Sequence, residues 1–489
     1  MQRKIAIAAL LIAGTSILNL TGCTKNPATG KTTFTGGLNK SQETKLGAAH
    51  HSKIMAEFGG EYKNKNLLKY VNSIGTLIAS TSERPNLNWK FTILNSEVVN
   101  AFATPGGYVY ITRGLLALAD NEAQLASVLA HEIGHITALH HAKRHGQSLM
   151  ANVGIVAASV FGGRNLGRLS QFGTTTLLKS FSRENEYEAD ALSIRYLGRA
   201  GYQTQATANF LVKLRENSIL TAKQRGEKPG KINQFSYLST HPTPNNRIKK
   251  ATALSRSKNI RNPIIAKNIY LSKIDGLIYG NDPKAGVVRG RDFLHPTLGF
   301  SFRVPEGFSI FNSPQAVKAF GPKGAQIIFD RAIKGYQGPI KNYIRFKWAK
   351  NHSIRDLESL QINGMNAATA ATNVKKDGQI FPVRLVAYRF NKETIYRFLF
   401  ITSSLEKNNF SMEYRRTTYS FCKLSSSQAS NLKPLILKII EVKKRDTLET
   451  LSLRLPYTDF KLERLALLNG LSVNTKLLPG QKLKTIVAQ

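Results

Sequence analysis

His131-Glu132-Ile133-Gly134-His135, followed fifty-one residues on by Glu186-Tyr187-Glu188-Ala189-Asp190, decides how this chain is read. The run into it, Asn121 to Ala130, is rich in helix formers and has apolar residues at helical spacing. Asp120 or Asn121 can cap its start, with Gln124 where a capping box needs it. On a helix, His131 and His135 share one face, so two imidazoles one turn apart can take one Zn²⁺. Glu132 falls about 100° round the helix, beside the metal rather than on it. There its carboxylate is placed to take a proton from an attacking water and pass it to a leaving amine.

Two histidines do not complete a catalytic zinc site; a third ligand is needed, with one position left for water. His140, His141 and Glu186 are the candidates. The position where a glycine turn would bring a downstream histidine back is Ala138, so the helix is expected to continue and His141 to point away. His140, His141 and His145 are accordingly expected to be polar surface residues. Glu186 opens a second helical segment running to Leu197, with Asp190 four residues on and on the same face. This spacing assigns Glu186 to the metal and Asp190 to the outer nitrogen of a ligand histidine.

At these residues the chain resembles the HtpX- and BepA-type gluzincin peptidases, family M48. The resemblance extends over roughly residues 45 to 255. Asn100-Ala101-Phe102-Ala103-Thr104-Pro105-Gly106-Gly107 resembles the family segment ahead of the zinc helix. By that resemblance Asn100, Ala101 and Phe102 bind substrate and feed an edge strand, expected at Tyr108 to Thr112. Such an edge holds an extended polypeptide by backbone pairing, with little sequence preference. Ser239-Thr240-His241-Pro242, with Arg247 six residues after the histidine, resembles a second family segment. The resemblance implies that His241 lies near the zinc, where it stabilises an oxyanion or covers the metal in a latent state. It implies that Arg247 holds substrate or active-site carboxylates. One zinc per chain is implied.

Arg3 and Lys4 precede an apolar run, Ile5 to Leu20, too short and interrupted for a membrane span. The run ends Leu20-Thr21-Gly22-Cys23, which resembles a lipobox, so residues 1–22 are expected to be a lipoprotein signal and Cys23 the lipidated residue. Thr24 after it, rather than Asp, favours the periplasmic face of the outer membrane. Cys422 is then left without a partner, a half-buried free thiol in a chain with no disulfide framework.

The formal net charge is +39, from 69 basic and 30 acidic residues. It is spread evenly, without the basic tail or stripe of a nucleic-acid binder, so no nucleic-acid partner is expected. Anionic envelope polymers and lipid are the natural counter-surfaces.

The expected architecture is α+β. A residue 23–45 tether leads into a mainly helical, zincin-like peptidase domain over 46–255 with a small edge sheet. Residues 256–290 read as a linker with short elements. Strand-like runs at Phe300 to Val304, Ala325 to Phe329 and Tyr396 to Ile401 place a small α+β domain at 291–436, ending in a helix near Ser425 to Ile440. The glycine-rich apolar stretch Leu149 to Leu178 reads as a helical hairpin or lid beside the groove. Residues 437–489 resemble a LysM module, a binder of N-acetylglucosamine polymers, with Arg445 where a glycine is usual. Together these features imply a lipid-anchored periplasmic zinc endopeptidase cutting unfolded or misassembled envelope proteins. The rival reading is a peptidoglycan-tethered chaperone or assembly factor with a latent site.

Overall fold

The computed structural model describes residues 22–147, 180–224, 237–242, 245–258, 260–376, 379–402 and 410–489. The expected signal segment, Gly22 apart, and all of the expected lid at 149–178 lie outside these residues. Among the described residues no helix is long and apolar enough to cross a membrane.

The chain divides into two compact units. One takes the residues up to Met55, then Glu61–Tyr279 and Ile436–Val487; the other takes Ala56–Gly60, Gly280–Leu435 and the last two residues.

The first unit begins with a hairpin, β1 (Cys23–Lys25) and β2 (Thr32–Phe34), so the segment expected to be a tether is folded. Helices α1 (Lys40–Glu57) and α2 (Lys65–Ser80) follow. Asn64 caps α2, and Leu67, Val71, Ile74 and Ile78 at helical spacing form its buried face. A three-stranded sheet comes next: β3 (Lys90–Leu94), β4 (Ala101–Thr104) and β5 (Tyr108–Thr112), in spatial order β3-β5-β4. Tyr108 to Thr112 is therefore the central strand, and the edge expected there is β4 instead, whose residues are buried. The reason is that Tyr108 to Thr112 pairs on both sides, parallel to β3 and antiparallel to β4. The β4–β5 turn closes on Gly106 and Gly107, with φ of +84° and +94°. A Cβ on Gly107 would lie 2.8 Å from Asn88 O, so the position is closed to side chains.

Helices α3 (Arg113–Leu118), α4 (Glu122–Thr137), α5 (Arg183–Arg199) and α6 (Ala206–Gln224) build the body of this unit. Asn121 caps α4, its Oδ1 accepting from Gln124 N–H at 2.9 Å, while Gln124 Oε1 accepts from Asp120 N–H at 2.9 Å. A short helix, α7 (Tyr237–Thr240), precedes α8 (Asn245–Ser257), and α9 (Lys267–Ile274) leads into strand β6 (Ile278–Tyr279).

The second unit is mixed but sheet-rich. Strands β7 (Val287–Arg289), β8 (Asp292–His295) and β9 (Phe300–Arg303) form a sheet with the later β17 (Cys422–Lys423), in order β17-β9-β8-β7. A seven-stranded antiparallel sheet is built from β10 (Ser309–Asn312), β11 (Ala316–Phe320), β12 (Gln326–Arg331), β13 (Ile354–Ile362), β14 (Met365–Lys376), β15 (Gln379–Arg389) and β16 (Ile395–Ile401). Its order is β10-β11-β12-β16-β15-β14-β13. Helix α10 (Ile340–Tyr343) and helix α11 (Ser411–Ser420) pack on this unit's strands. The core is aromatic: Phe293, Phe300, Phe302, Phe329, Phe398 and Phe421 are all buried in one cluster. Cys422 is a half-buried free thiol.

The helix expected near Ser425 to Ile440 is a single turn, α12 (Ser426–Ser430), followed by a strand, β18 (Leu435–Glu441). Leu435-Ile436-Leu437-Lys438-Ile439-Ile440 is an apolar run whose periodicity fits either state, and pairing with β6 and β19 (Lys482–Ala488) makes it a strand. Between β18 and β19 lie α13 (Leu448–Ser452), capped by Thr447, and α14 (Lys461–Leu468). This β-α-α-β module belongs to the first unit and is clamped to it. Lys484 Nζ, 1% exposed, donates to the carbonyls of Ala117, Leu118 and Ala119 at 3.0, 3.1 and 2.7 Å and pairs with Asp120 Oδ1 at 3.2 Å. Those carbonyls close the C-terminal end of α3, so a buried lysine of the last strand caps it.

Candidate metal centre

Helix α4 carries His131, Glu132 and His135 on its last two turns, all three almost fully buried. Ser182 caps α5, so Glu186 and Asp190 leave its first two turns towards α4. The two helices approach closely at Gly134, where a Cβ would lie 3.3 Å from the Leu192 Cβ. Helix α7 ends just before His241 and is anchored by the Tyr237 N–H on Val99 O at 2.9 Å. One ligand atom each from His131, His135, Glu186 and His241 fall within 4.8 Å of one another.

The outer partners fix which nitrogen of each ring carries the proton. His131 Nδ1 lies 3.0 Å from Asp190 Oδ1. A carboxylate only accepts, so Nδ1 holds the hydrogen and Nε2 turns a lone pair inward. His135 reaches the same state through a longer relay. His140 Nε2 donates to Glu188 Oε2 at 2.8 Å, leaving His140 Nδ1 to accept from His135 Nδ1, also at 2.8 Å. The two inward Nε2 atoms are 3.0 Å apart. Lone pairs facing each other beside the Glu186 carboxylate repel unless a cation lies among them, so the donor set fits a zinc ion of mixed nitrogen and oxygen ligation.

The charges agree. Burial pulls the His131 imidazole down, but its bonds to Asp190 and Glu186 outweigh that and lift it to about 9. Burial and the neighbouring His131 hold His135 well below its ordinary value. Burial pushes Glu186 up, and His241 and Arg247 together hold it far below the usual carboxylate range. Burial pushes the Glu132 carboxyl up against the pull of His241 and His131, the direction that makes a carboxylate a better proton acceptor.

Residues 66–255 match the model of Peptidase family M48, and residues 440–485 match the LysM domain. The chain carries an M48 peptidase domain. Over 219 residues it is 32% identical to the beta-barrel assembly-enhancing protease of Escherichia coli strain K12, a match covering 42% of either chain. It is also 32% identical to the Yersinia pestis protein of that name, over 38% of either chain. It is 28% identical to the mitochondrial metalloendopeptidase OMA1 of Schizosaccharomyces pombe, over 50% of this chain and 70% of that one. The chain thus spans less than half the length of its bacterial relatives in these matches.

Within the M48 domain Arg247 is 1% exposed and serves carboxylates. Its Nε and one terminal nitrogen donate to Asp190 at 2.8 and 2.7 Å; the other terminal nitrogen lies 2.7 Å from Glu186 Oε2 and donates to Pro242 O at 2.9 Å. His241 Nδ1 is 3.0 Å from Glu186 Oε1 and 3.4 Å from His131 Nε2, and its Nε2 is 3.4 Å from Glu132 Oε1. Asn100, Ala101 and Phe102 are buried at the start of β4, with Phe102 stacked on Tyr110 at 5.0 Å. Cys23 opens β1 and is exposed.

Two expectations are corrected. The helix stops two residues past the second histidine: α4 ends at Thr137, and Leu139 takes a left-handed φ of +56° before a second helical stretch at 140–147. His140 is therefore not a surface residue but 1% exposed and bonded to His135, and His141 is half-buried. His140, Glu188 and Phe181, whose ring stacks on His135 at 4.1 Å, are the site residues that sequence reasoning missed. Glu188 carried a signal, since it stands two residues from Glu186, but its partner depends on the turn at Leu139.

Proposed function

We propose that this chain is a lipid-anchored zinc endopeptidase on the periplasmic face of the outer membrane. It hydrolyses unfolded or misassembled envelope proteins in proteolytic quality control. The observation that carries the reading is that His131, His135 and Glu132 sit on a helix packed against β4, a sheet edge, with Glu186 and His241 brought beside them from other elements. An extended polypeptide pairing with that edge passes the Glu132 carboxylate whatever its side chains. The relatives named for β-barrel assembly support an envelope substrate. The LysM match supports peptidoglycan as a second partner. Cys23, the residue that would carry the anchor, is exposed at the start of β1.

In this mechanism His131, His135 and Glu186 would hold one zinc, which would supply Lewis acidity to the scissile carbonyl and to water. Glu132 accepts the proton of the attacking water and delivers it to the departing amine. Asp190 and the His140–Glu188 pair hold the ligand rings in the tautomer that offers Nε2. Arg247 keeps Glu186 and Asp190 ionised and aimed.

The test is incubation of the full chain with an unfolded outer-membrane β-barrel protein, with and without a zinc chelator, beside Glu132→Gln. Chelator-sensitive cleavage that falls at least ~10³-fold in the variant, with about one zinc retained per chain, is the expected result. Absence of zinc from the purified wild type sinks the reading.

A second reading, a latent enzyme or chaperone, has its own observation: His241 stands within the ligand group, where a fourth protein ligand closes the site to water. His241→Ala then raises cleavage above wild type; under the first reading it lowers it.

A further inference from the structure

The active helix ends in a turn that the chain's own amino-terminal hairpin holds in place. Helix α4 leaves its last carbonyls without intrahelical partners. Ala138, the residue that caps it, is 1% exposed and is followed by the turn into the second helical stretch at 140–147. Asn26, three residues after Cys23 and 3% exposed, fills that need: its Nδ2 donates to Ala138 O at 2.9 Å. The other end of the amide is also used. Oδ1 accepts from the N–H groups of Ala28 at 2.9 Å and Thr29 at 3.3 Å, folding the β1–β2 turn around the side chain. The hairpin is pinned again by Arg195, which donates to Ala28 O at 3.2 Å, and by Gly146, where a Cβ would lie 2.6 Å from Phe34 O.

What this turn positions is the relay to the metal. Ala138 and the left-handed Leu139 reverse the chain so that His140 comes back onto His135 Nδ1 at 2.8 Å, with Glu188 on its far side. The side chains of Asn26, His140 and Glu188 line one cavity of about 530 Å³ between the hairpin and the two helices.

We infer that Asn26 is a positioning residue of the metal centre, acting through the Ala138–Leu139 turn and His140 on the orientation of His135. The segment next to the expected lipid attachment is on this account part of the active centre, not a spacer. The inference rests on the zinc-peptidase reading for its kinetic consequence, but its effect on metal binding stands apart from any activity.

Asn26→Asp is the informative change, because it keeps the acceptor that folds the hairpin turn and replaces the donor to Ala138 by a carboxylate oxygen that repels that carbonyl. Zinc affinity is measured by chelator competition on the full chain, and amide hydrogen exchange is followed over residues 138–147 of the metal-free protein. The variant is expected to bind zinc at least ~10-fold more weakly. Exchange across the turn is expected to be faster, and kcat at saturating zinc to fall with KM unchanged, since Asn26 touches no substrate. His140→Ala is expected to weaken zinc similarly, and the double variant to be no worse than His140→Ala alone. Glu188→Gln, at the open end of the relay, provides a change that leaves the fold intact should Asn26→Asp lower expression; it too is expected to weaken zinc. Wild-type zinc affinity in Asn26→Asp, or additive losses in the double variant, overturns the inference. A wild type that binds zinc but cleaves nothing overturns the peptidase reading alone, and the zinc measurements still decide this one.

Discussion

Arg247 carries more of the site than its distance in sequence from the metal motif suggests. One guanidinium, almost fully buried, spans two carboxylates on adjacent turns of α5, and burial leaves it no surface for substrate. The planar fork matters here: the bidentate hold on Asp190 fixes the oxygen that receives His131 Nδ1, while the remaining arm steadies Glu186. A lysine carries the charge but is a single point and cannot occupy both positions. Arg247→Lys is therefore expected to weaken zinc binding by about 10- to 100-fold while the chain stays folded. Competition with a chromophoric chelator reads this directly, and zinc affinity equal to wild type shows that charge alone suffices.

At the scale of elements, close approaches rather than polar bonds set the edge strand. Gly47 of α1 lies so near the β4–β5 turn that a Cβ would stand 2.1 Å from Pro105 O. Backbone cannot yield that far, so Gly47→Ala is expected to cost about 1–3 kcal/mol and to raise KM for extended substrates by shifting β4. Urea unfolding and steady-state kinetics check the two halves, and an unchanged midpoint refutes the packing argument. The β8–β9 hairpin holds a pH-dependent element of its own. Leu298 N–H donates to His295 Nδ1 at 3.2 Å, which requires a neutral ring, and burial holds that imidazole at about 4 against an ordinary 6.5. The unfolded chain binds the proton more readily, so the stability is complete above pH 6.5 and is lost as pH falls towards 4. Allowing for the ring's partial exposure, the loss is about 1–2 kcal/mol. Melting curves across that range should flatten in His295→Gln. The elements themselves were legible to different degrees. His131, His135, Glu186 and Asp190 were readable because helical periodicity converts spacing into a shared face. The relay through His140 was not: neither Gly nor Pro marks residues 138–139, and an ordinary leucine takes the left-handed turn. Nor does a five-residue apolar strand such as Tyr108 to Thr112 say whether one or both of its edges are paired.

For the whole molecule, the α+β architecture was visible in the change from helical spacing to alternating runs near residue 300, and the structure has that character throughout. What the pattern could not convey is that the LysM module is built into the peptidase unit. Nothing in Lys482-Leu483-Lys484 distinguishes the two lysines, yet the first is exposed and the second is 1% exposed, 364 positions from the Asp120 it pairs with. Asp120 directly precedes the residue that caps α4, and it is also bound by Lys213, which in turn donates to Leu468 O of α14 at 3.2 Å. Burial pushes this carboxyl up, and the two ammonium groups hold it below its usual range. The start of the helix that carries His131 and His135 is thus tied to a lysine of strand β19. Removing one partner of a buried ionic cluster leaves polar groups without compensation, here three carbonyls as well as a share of Asp120. Lys484→Ala is therefore expected to destabilise the peptidase unit by about 3 kcal/mol. Lys482→Ala, two residues away at the exposed start of the strand, is expected to stay within about 0.5 kcal/mol of wild type. The measurement is urea unfolding followed by Trp89 fluorescence in a Trp348→Phe background, so that the signal comes from the first unit alone. A midpoint for Lys484→Ala equal to that of Lys482→Ala means that the module is carried by the peptidase and not clamped to it. A large separation means that the LysM strand and the zinc helix unfold as one cooperative body.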